Sequence, residues 1–231
     1  MQLWPLPSSV VSDAPVGIDL PNVTRWLDAN VEELGGPYSF TLITGGRSNL
    51  TFKGTDGSGT EFVLRRPPTG NVLASAHDMV REHTIISAVG TTPVPVPRTL
   101  GVCHDVEVND APFYVMSYVD GVVLDSQEKA LGMSVDQRRE ASEHLIDVLA
   151  DLHAVDSDAV GLGDLAKREG YVERQVRRWT GLWEKSKTME LHAVDEVARR
   201  LAANIPDQKG VTIAHGDYRL GNCLVDIEAA K

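Results

Sequence analysis

His215-Gly216-Asp217-Tyr218-Arg219-Leu220-Gly221-Asn222 precedes an apolar run, Cys223-Leu224-Val225, in a chain of 231 residues. An acid five positions before an amide, at the mouth of an apolar strand, is what phosphoryl transfer needs: a base for a substrate hydroxyl beside a magnesium ligand.

The chain is 42% hydrophobic and 24% charged, enough to bury the core of one large domain or two small ones. No apolar run is long enough to span a bilayer, so no membrane partner is expected. The opening Met1-Gln2-Leu3-Trp4-Pro5-Leu6-Pro7 has neither the basic start nor the apolar core of a signal peptide, so a cytoplasmic location is expected. Cys103 and Cys223 lack CxxC or His-pair spacing, which points to reduced, buried thiols rather than a disulfide or zinc site. A net charge of -11 argues against a nucleic-acid partner and suits a cationic substrate, although solubility explains it equally well.

A Pro/Ser-rich lead, residues 1–36, contains a predicted helix from about Pro21 to Leu34, with Asn22 or Thr24 as cap and Val23, Trp26, Leu27 and Val31 as its apolar stripe. From Tyr38 the pattern turns to strands: Tyr38 to Ile43, Asn49 to Lys53, and Glu61 to Arg66, joined by Gly-rich turns into an antiparallel meander. A helix from about Ala76 to Val89 follows, stopped by Thr92-Pro93-Val94-Pro95-Val96-Pro97. A strand pair, Thr99 to His104 and Phe113 to Tyr118, completes a small sheet. Beyond Asp120-Gly121 the chain is helical, through Ala141, Leu145, Val148, Leu149 and Leu152 and a charged region from about Tyr171 to Asn204. The expected division is therefore 1–36, 37–118 and 119–231.

Thr44-Gly45-Gly46-Arg47-Ser48-Asn49 offers backbone N–H groups that can cover phosphates, though Gly-Gly hairpins also occur with no such role. The third strand alternates Val63 and Arg65 against Phe62, Leu64 and Arg66, so one arginine faces a cleft, or the pair is a solvated edge. Glu82 on the next helix is placed to pair with that arginine, or to lie on a wet face with Arg81 and His83. In Phe113-Tyr114-Val115-Met116-Ser117-Tyr118-Val119-Asp120-Gly121 the backbone groups of Ser117 and Val119 can read a purine edge, or the segment is a plain linker. His77, His83, His104, His144 and His192 have no metal-ligand spacing. His153 reads as a buried structural histidine or a helix-end cation. Trp179 and Trp183 read as packing residues rather than a stacking platform, and Arg174, Arg177 and Arg178 as a solvated face.

Taken in order, the Gly-Gly turn, basic third strand, helix glutamate, Met-Ser-Tyr-Val crossing, Leu149-Ala150-Asp151-Leu152-His153 and His215-Gly216-Asp217…Asn222 resemble the protein-kinase-like fold. The branch is that of aminoglycoside phosphotransferases and choline kinases. The wording Val63-Leu64-Arg65-Arg66-Pro67-Pro68 is most similar to the subgroup of kinase-like domains fused to acyl-CoA dehydrogenases. The resemblance covers about residues 38–231. It implies an α+β, two-lobed fold with an antiparallel sheet and helix in the N-lobe and a helical C-lobe incomplete in this chain. It also implies an ATP- and magnesium-dependent phosphotransferase acting on a hydroxyl of a small-molecule acceptor.

The resemblance assigns roles by position. Asp217 matches the catalytic base, His215 a brace of its loop, Arg219 the stabiliser of transferring charge, and Asn222 a magnesium ligand. Gly216 stands where eukaryotic protein kinases carry arginine, which favours a small-molecule kinase. Gly45, Gly46, Arg47, Ser48, Asn49, Arg65, Glu82, Met116, Ser117 and Val119 form the implied ATP site, with Arg65 replacing the family's usual lysine. The family's second metal aspartate, in an Ile-Asp-Trp-Glu-like motif, has no match. Asp226 is about 13 Å along an extended strand from Asn222, too far for ligands that each lie about 2 Å from one ion. Asp226-Ile227-Glu228-Ala229-Ala230-Lys231 reads as the start of a hairpin whose second strand is not in the sequence. A chain cut from a longer polypeptide is the expectation, and a catalytically inactive nucleotide-binding or scaffold module is the alternative.

Overall fold

A computed structural model describes residues 15–43, 49–70 and 77–227. Helix α1 (Leu20–Asn30) is capped by Asp19, whose side chain accepts the N–H of Asn22, with Pro21 in the first turn. The cap is therefore Asp19 rather than Asn22 or Thr24, because a proline cannot donate and sits comfortably just inside the start. Val23, Leu27 and Val31 are buried as the apolar stripe predicts.

Strands β1 (Ser39–Leu42), β2 (Leu50–Thr55) and β3 (Glu61–Arg66) form the expected meander. Helix α2 (Met79–Val89) follows, capped by Asp78 through the N–H of Arg81, while Ala76, its expected first residue, lies outside the described residues. Strands β4 (Thr99–Cys103) and β5 (Phe113–Ser117) complete an all-antiparallel sheet of order β1-β2-β3-β5-β4. The short helix α3 (Val106–Asn109) between them has no counterpart in the sequence reading.

Strand alternation gives the sheet two different faces. On one, Phe52, Phe62, Leu64, Phe113 and Val115 join Ile18, Val23, Leu27, Val31 and Tyr38 in a single core. Fully burying a phenylalanine such as Phe62 is worth roughly 2–3 kcal/mol, and here it requires Gly54 opposite. A Cβ at Gly54 would lie 2.3 Å from the Phe62 ring. Arg66 belongs to this apolar face and is only 3% exposed. Its guanidinium donates to the carbonyls of Gly17 (2.7 Å), Asn109 (2.8 Å) and Pro67 (3.1 Å), so it is a structural tie rather than half of a solvated edge. Burial lowers its pKa from the ordinary arginine value, opposed by the charge of Asp110. The other face carries Thr51, Arg65 and Tyr114, paired in register across β2, β3 and β5, and meets α2.

Helices α4 (Gln127–Leu131) and α5 (Val135–Ala154) come next. Ser134 and Gln137 close a reciprocal capping box at the start of α5, the backbone N–H of each donating to the other's side chain. A second small core gathers Leu124, Met133, Ala141 and Val225. The predicted apolar strand at Cys223–Val225 is reduced to one bridge, Val122 with Val225, after a 3-10 turn at Leu220–Asn222.

The described residues gather into two units, one reaching to Asp151 and resuming at Asp217, the other Leu152–Gly216. In the second, the charged helical region expected from about Tyr171 to Asn204 consists of two helices, α6 (Tyr171–Ser186) and α7 (His192–Ala203), and the Trp183 indole donates to Asp195 at 3.3 Å. Trp179, expected to pack, is 60% exposed. His153 is exposed at the last turn of α5, which leaves only the helix-end reading of that residue.

Candidate active site

Arg65 is the arginine of β3 that turns away from the apolar core. Its Nε donates to Glu82 Oε2 at 3.0 Å, and its Nη1 lies 3.5 Å from the Thr51 hydroxyl. The pairing with Glu82 that the spacing allows is therefore formed, by one oxygen rather than as a fork. Each partner is about a third exposed, 32% and 34%, so the pair is neither sealed nor fully hydrated.

Glu82 receives more than the arginine. Tyr114 is 1% exposed and its hydroxyl donates to the same Oε2 at 3.2 Å, while the Asn49 amide donates to Oε1 at 3.1 Å. Burial, reinforced by the neighbouring carboxylate and opposed by Arg65, pushes the Tyr114 phenol well above its ordinary pKa and keeps it a donor. The Asn49 carbonyl oxygen is 2.6 Å from His77 Nδ1. That contact fixes the amide's orientation, since a flipped Asn49 would set its oxygen against the carboxylate. His77 then donates from Nδ1.

Two expectations change. Asn49, grouped with residues facing a nucleotide, is 8% exposed with its side chain spent on Glu82 and His77. The Ser117 N–H, expected to be free for a purine edge, donates to Arg98 O at 2.8 Å, because β5 still runs beside the chain entering β4. Met116 is paired within the sheet to Val63 and Thr99. Val119 is 38% exposed beyond the strand end. Gly45, Gly46, Arg47 and Ser48 lie outside the described residues.

The loop from Asp217 to Asn222 is built by near neighbours. Asn222 Nδ2 donates to the Asp217 carboxylate at 2.6 Å and to the Asp217 carbonyl at 2.8 Å. Arg219 Nε lies 3.4 Å from the other carboxylate oxygen, and the two side chains are 59% and 68% exposed. Tyr218 anchors the loop by donating its hydroxyl to Leu145 O of α5 at 2.7 Å, and burial raises its pKa. Gly216 precedes the acid with φ +85, a backbone state that an L side chain enters only with strain. This gives a physical reason for glycine where arginine is the alternative.

Both N–H groups of the Asn222 amide are spent on Asp217, so its carbonyl oxygen is the atom left to meet a cation. A neutral oxygen of this kind fits one position around a hard ion such as magnesium, which completes its shell with water and phosphate oxygens. Among the described residues, no group of three or more His, Cys, Asp or Glu side chains stands together as a metal cage. Among the described residues, too, no helix is long and apolar enough to cross a membrane.

An antiparallel sheet with a helix-borne carboxylate on its basic strand, and an acid–amide loop following the helices, defines the protein-kinase-like class. The chain belongs to the phosphotransferase enzyme family, which matches residues 39–231. It is 32% identical over 196 residues to acyl-CoA dehydrogenase family member 10 of Mus musculus, covering 85% of this chain and 18% of that protein. It is 33% identical over 201 residues to family member 11 of Gallus gallus, covering 87% and 26%. The chain thus spans well under a third of these relatives. A solved Ralstonia eutropha protein, proposed to be an aminoglycoside phosphotransferase, superposes with a TM-score of 0.76 at 34% identity, covering 89% of this chain and 60% of that one. The GDP complex of aminoglycoside 2'-phosphotransferase-IIIa gives a TM-score of 0.64 at 15% identity over 90% of this chain and 68% of its own, a likeness of fold alone.

Proposed function

We propose that this chain carries the nucleotide site and catalytic loop of an ATP- and magnesium-dependent kinase that phosphorylates a hydroxyl of a small molecule. The observation that carries the reading is the Asp217–Asn222–Arg219 cluster: a carboxylate 2.6 Å from an amide and 3.4 Å from a guanidinium. Asp217 accepts the proton of the acceptor hydroxyl as the hydroxyl oxygen bonds to the terminal phosphorus of ATP, whose bond to the bridging oxygen breaks to release ADP. Arg219 offsets the negative charge that develops there. Arg65, held through Nε by Glu82, keeps its outer guanidinium edge for the inner phosphates. Magnesium, when bound, neutralises phosphate charge, and the Asn222 carbonyl oxygen is the ligand this loop supplies.

The test uses the full-length protein with ATP, and separately GTP, in the presence of magnesium and a panel of sugars, amino alcohols, aminoglycosides and hydroxyacyl thioesters. Wild-type protein should transfer the terminal phosphate to one class, and Asp217→Ala should abolish transfer while nucleotide binding persists. Nucleotide binding by the wild type with no transfer to any acceptor and no hydrolysis would assign the chain to a nucleotide-binding module without catalysis.

A further inference from the structure

The carboxylate of Glu82 has two ways to meet a guanidinium. Left to itself, a carboxylate beside an arginine forms the two-bond fork, one oxygen on Nε and the other on Nη2. Here only Oε2 touches Arg65, because Oε1 is claimed by the Asn49 amide at 3.1 Å while Tyr114 donates to Oε2 at 3.2 Å. His77 in turn holds Asn49 by its carbonyl oxygen at 2.6 Å. Among the described residues, Nη2 of Arg65 has no protein acceptor, and Nη1 reaches only Thr51, at the 3.5 Å limit of a hydrogen bond.

We propose that Asn49 and Tyr114 are positioning residues that keep Glu82 from closing the fork on Arg65, so that the outer edge of the guanidinium stays open for a nucleotide phosphate. The buried amide and phenol act on the ligand only through the arginine. Glu82 is both an anchor and a competitor for that edge, and the brace decides which. His77 sets the Asn49 amide the right way round. The inference rests on the reading of Arg65 as a phosphate contact.

Calorimetry of ATP binding to the full-length protein tests it with single and paired variants. Asn49→Ala should weaken binding about tenfold, the scale of one hydrogen bond to a charged group. Tyr114→Phe, which keeps the ring volume, should weaken it by a few-fold. In an Arg65→Lys background the same Asn49→Ala change should have less than about a twofold effect, because an ammonium cannot be captured in a fork. Equal losses in the two backgrounds would show that Asn49 merely supports the fold and would overturn the proposal. Nucleotide binding indifferent to Arg65→Ala would sink the phosphate reading instead. The brace itself is then judged by hydrogen exchange of the Arg65 guanidinium in NMR without nucleotide. The wild type should protect Nε–H and leave Nη2–H fast, and Asn49→Ala should protect both. Unchanged Nη2–H exchange in Asn49→Ala would refute the brace.

Discussion

The arginine site of the sheet and the acid loop near Asn222 are held in opposite ways. Arg65 and Glu82 are separated by 17 positions and are fixed by Tyr114 of β5 and by Asn49 and His77, which lie just before β2 and α2. Asp217 is held by Asn222 and Arg219, five and two positions away, and the adjacent Tyr218 reaches out to α5. The first geometry costs a network of buried polar groups, each of which must be satisfied. The second costs little, because a tight turn brings its partners together. On the proposed function, an arginine that holds phosphate would gain from rigidity, and a carboxylate that receives a proton would gain from being reachable.

The contrast between loop and sheet is tested most strongly by removing one charged group from each. Asp217→Asn should cut phosphoryl transfer by about 10²–10⁴-fold, the range for a lost general base. Being exposed, it should shift stability by only about 0.5 kcal/mol in chemical denaturation. In the sheet the balance should reverse at Arg66→Ala. The buried carbonyl of Asn109 and the part-buried carbonyl of Gly17 lose their donor, and stability should fall by about 2–4 kcal/mol in urea unfolding. A smaller loss there would mean that water replaces the guanidinium and that the sheet region is less sealed than its burial indicates. Tyr218→Phe removes the hydrogen bond that ties the loop to Leu145 of α5 and should cost about 1 kcal/mol, with a larger effect on kcat than on nucleotide affinity.

The subtlest effect is one of pH. Asp56, in the turn between β2 and β3, accepts the Ser58 hydroxyl and the N–H groups of Gly35, Thr60 and Ser58, which lower its pKa from 3.8 to about 2. A lowered folded-state pKa stabilises the protein fully above the unfolded value, and that stabilisation is lost as pH falls from 3.8 toward about 2. The melting temperature of Asp56→Asn should therefore fall less steeply than that of the wild type across this window. Parallel slopes would remove Asp56 from the account.

The same contrast explains what could be read in the sequence. The acid loop was legible because its partners are sequence neighbours, and β3 was legible from Glu61 to Arg66 because alternation and the following Pro67-Pro68 bound it on their own. The brace was not. Asn49, Thr51, Arg65 and Tyr114 come together only through strand register, although Asn49 and Thr51 share a parity that marks one side of β2. Arg65 and Arg66 are alike in sequence, and only α1 and the chain around Gly17 and Asn109 decide which one is tied into the core. The break between α6 and α7 at Lys187–Leu191 contains no glycine or proline, so no local signal announces it. Trp179 shows the converse, an aromatic at helical spacing that stays exposed.

Arg66 also bears on where this domain can be cut. The family match begins at residue 39, yet the guanidinium of Arg66 needs the carbonyl of Gly17, and α1 supplies Val23, Leu27 and Val31 to the core that holds Phe52 and Phe62. An excision at the family boundary would strip a wall from that core and leave a buried cation one acceptor short. A fragment made for biochemistry, or a transplant of this module into another polypeptide, has to start upstream of Gly17 and bring α1 with it.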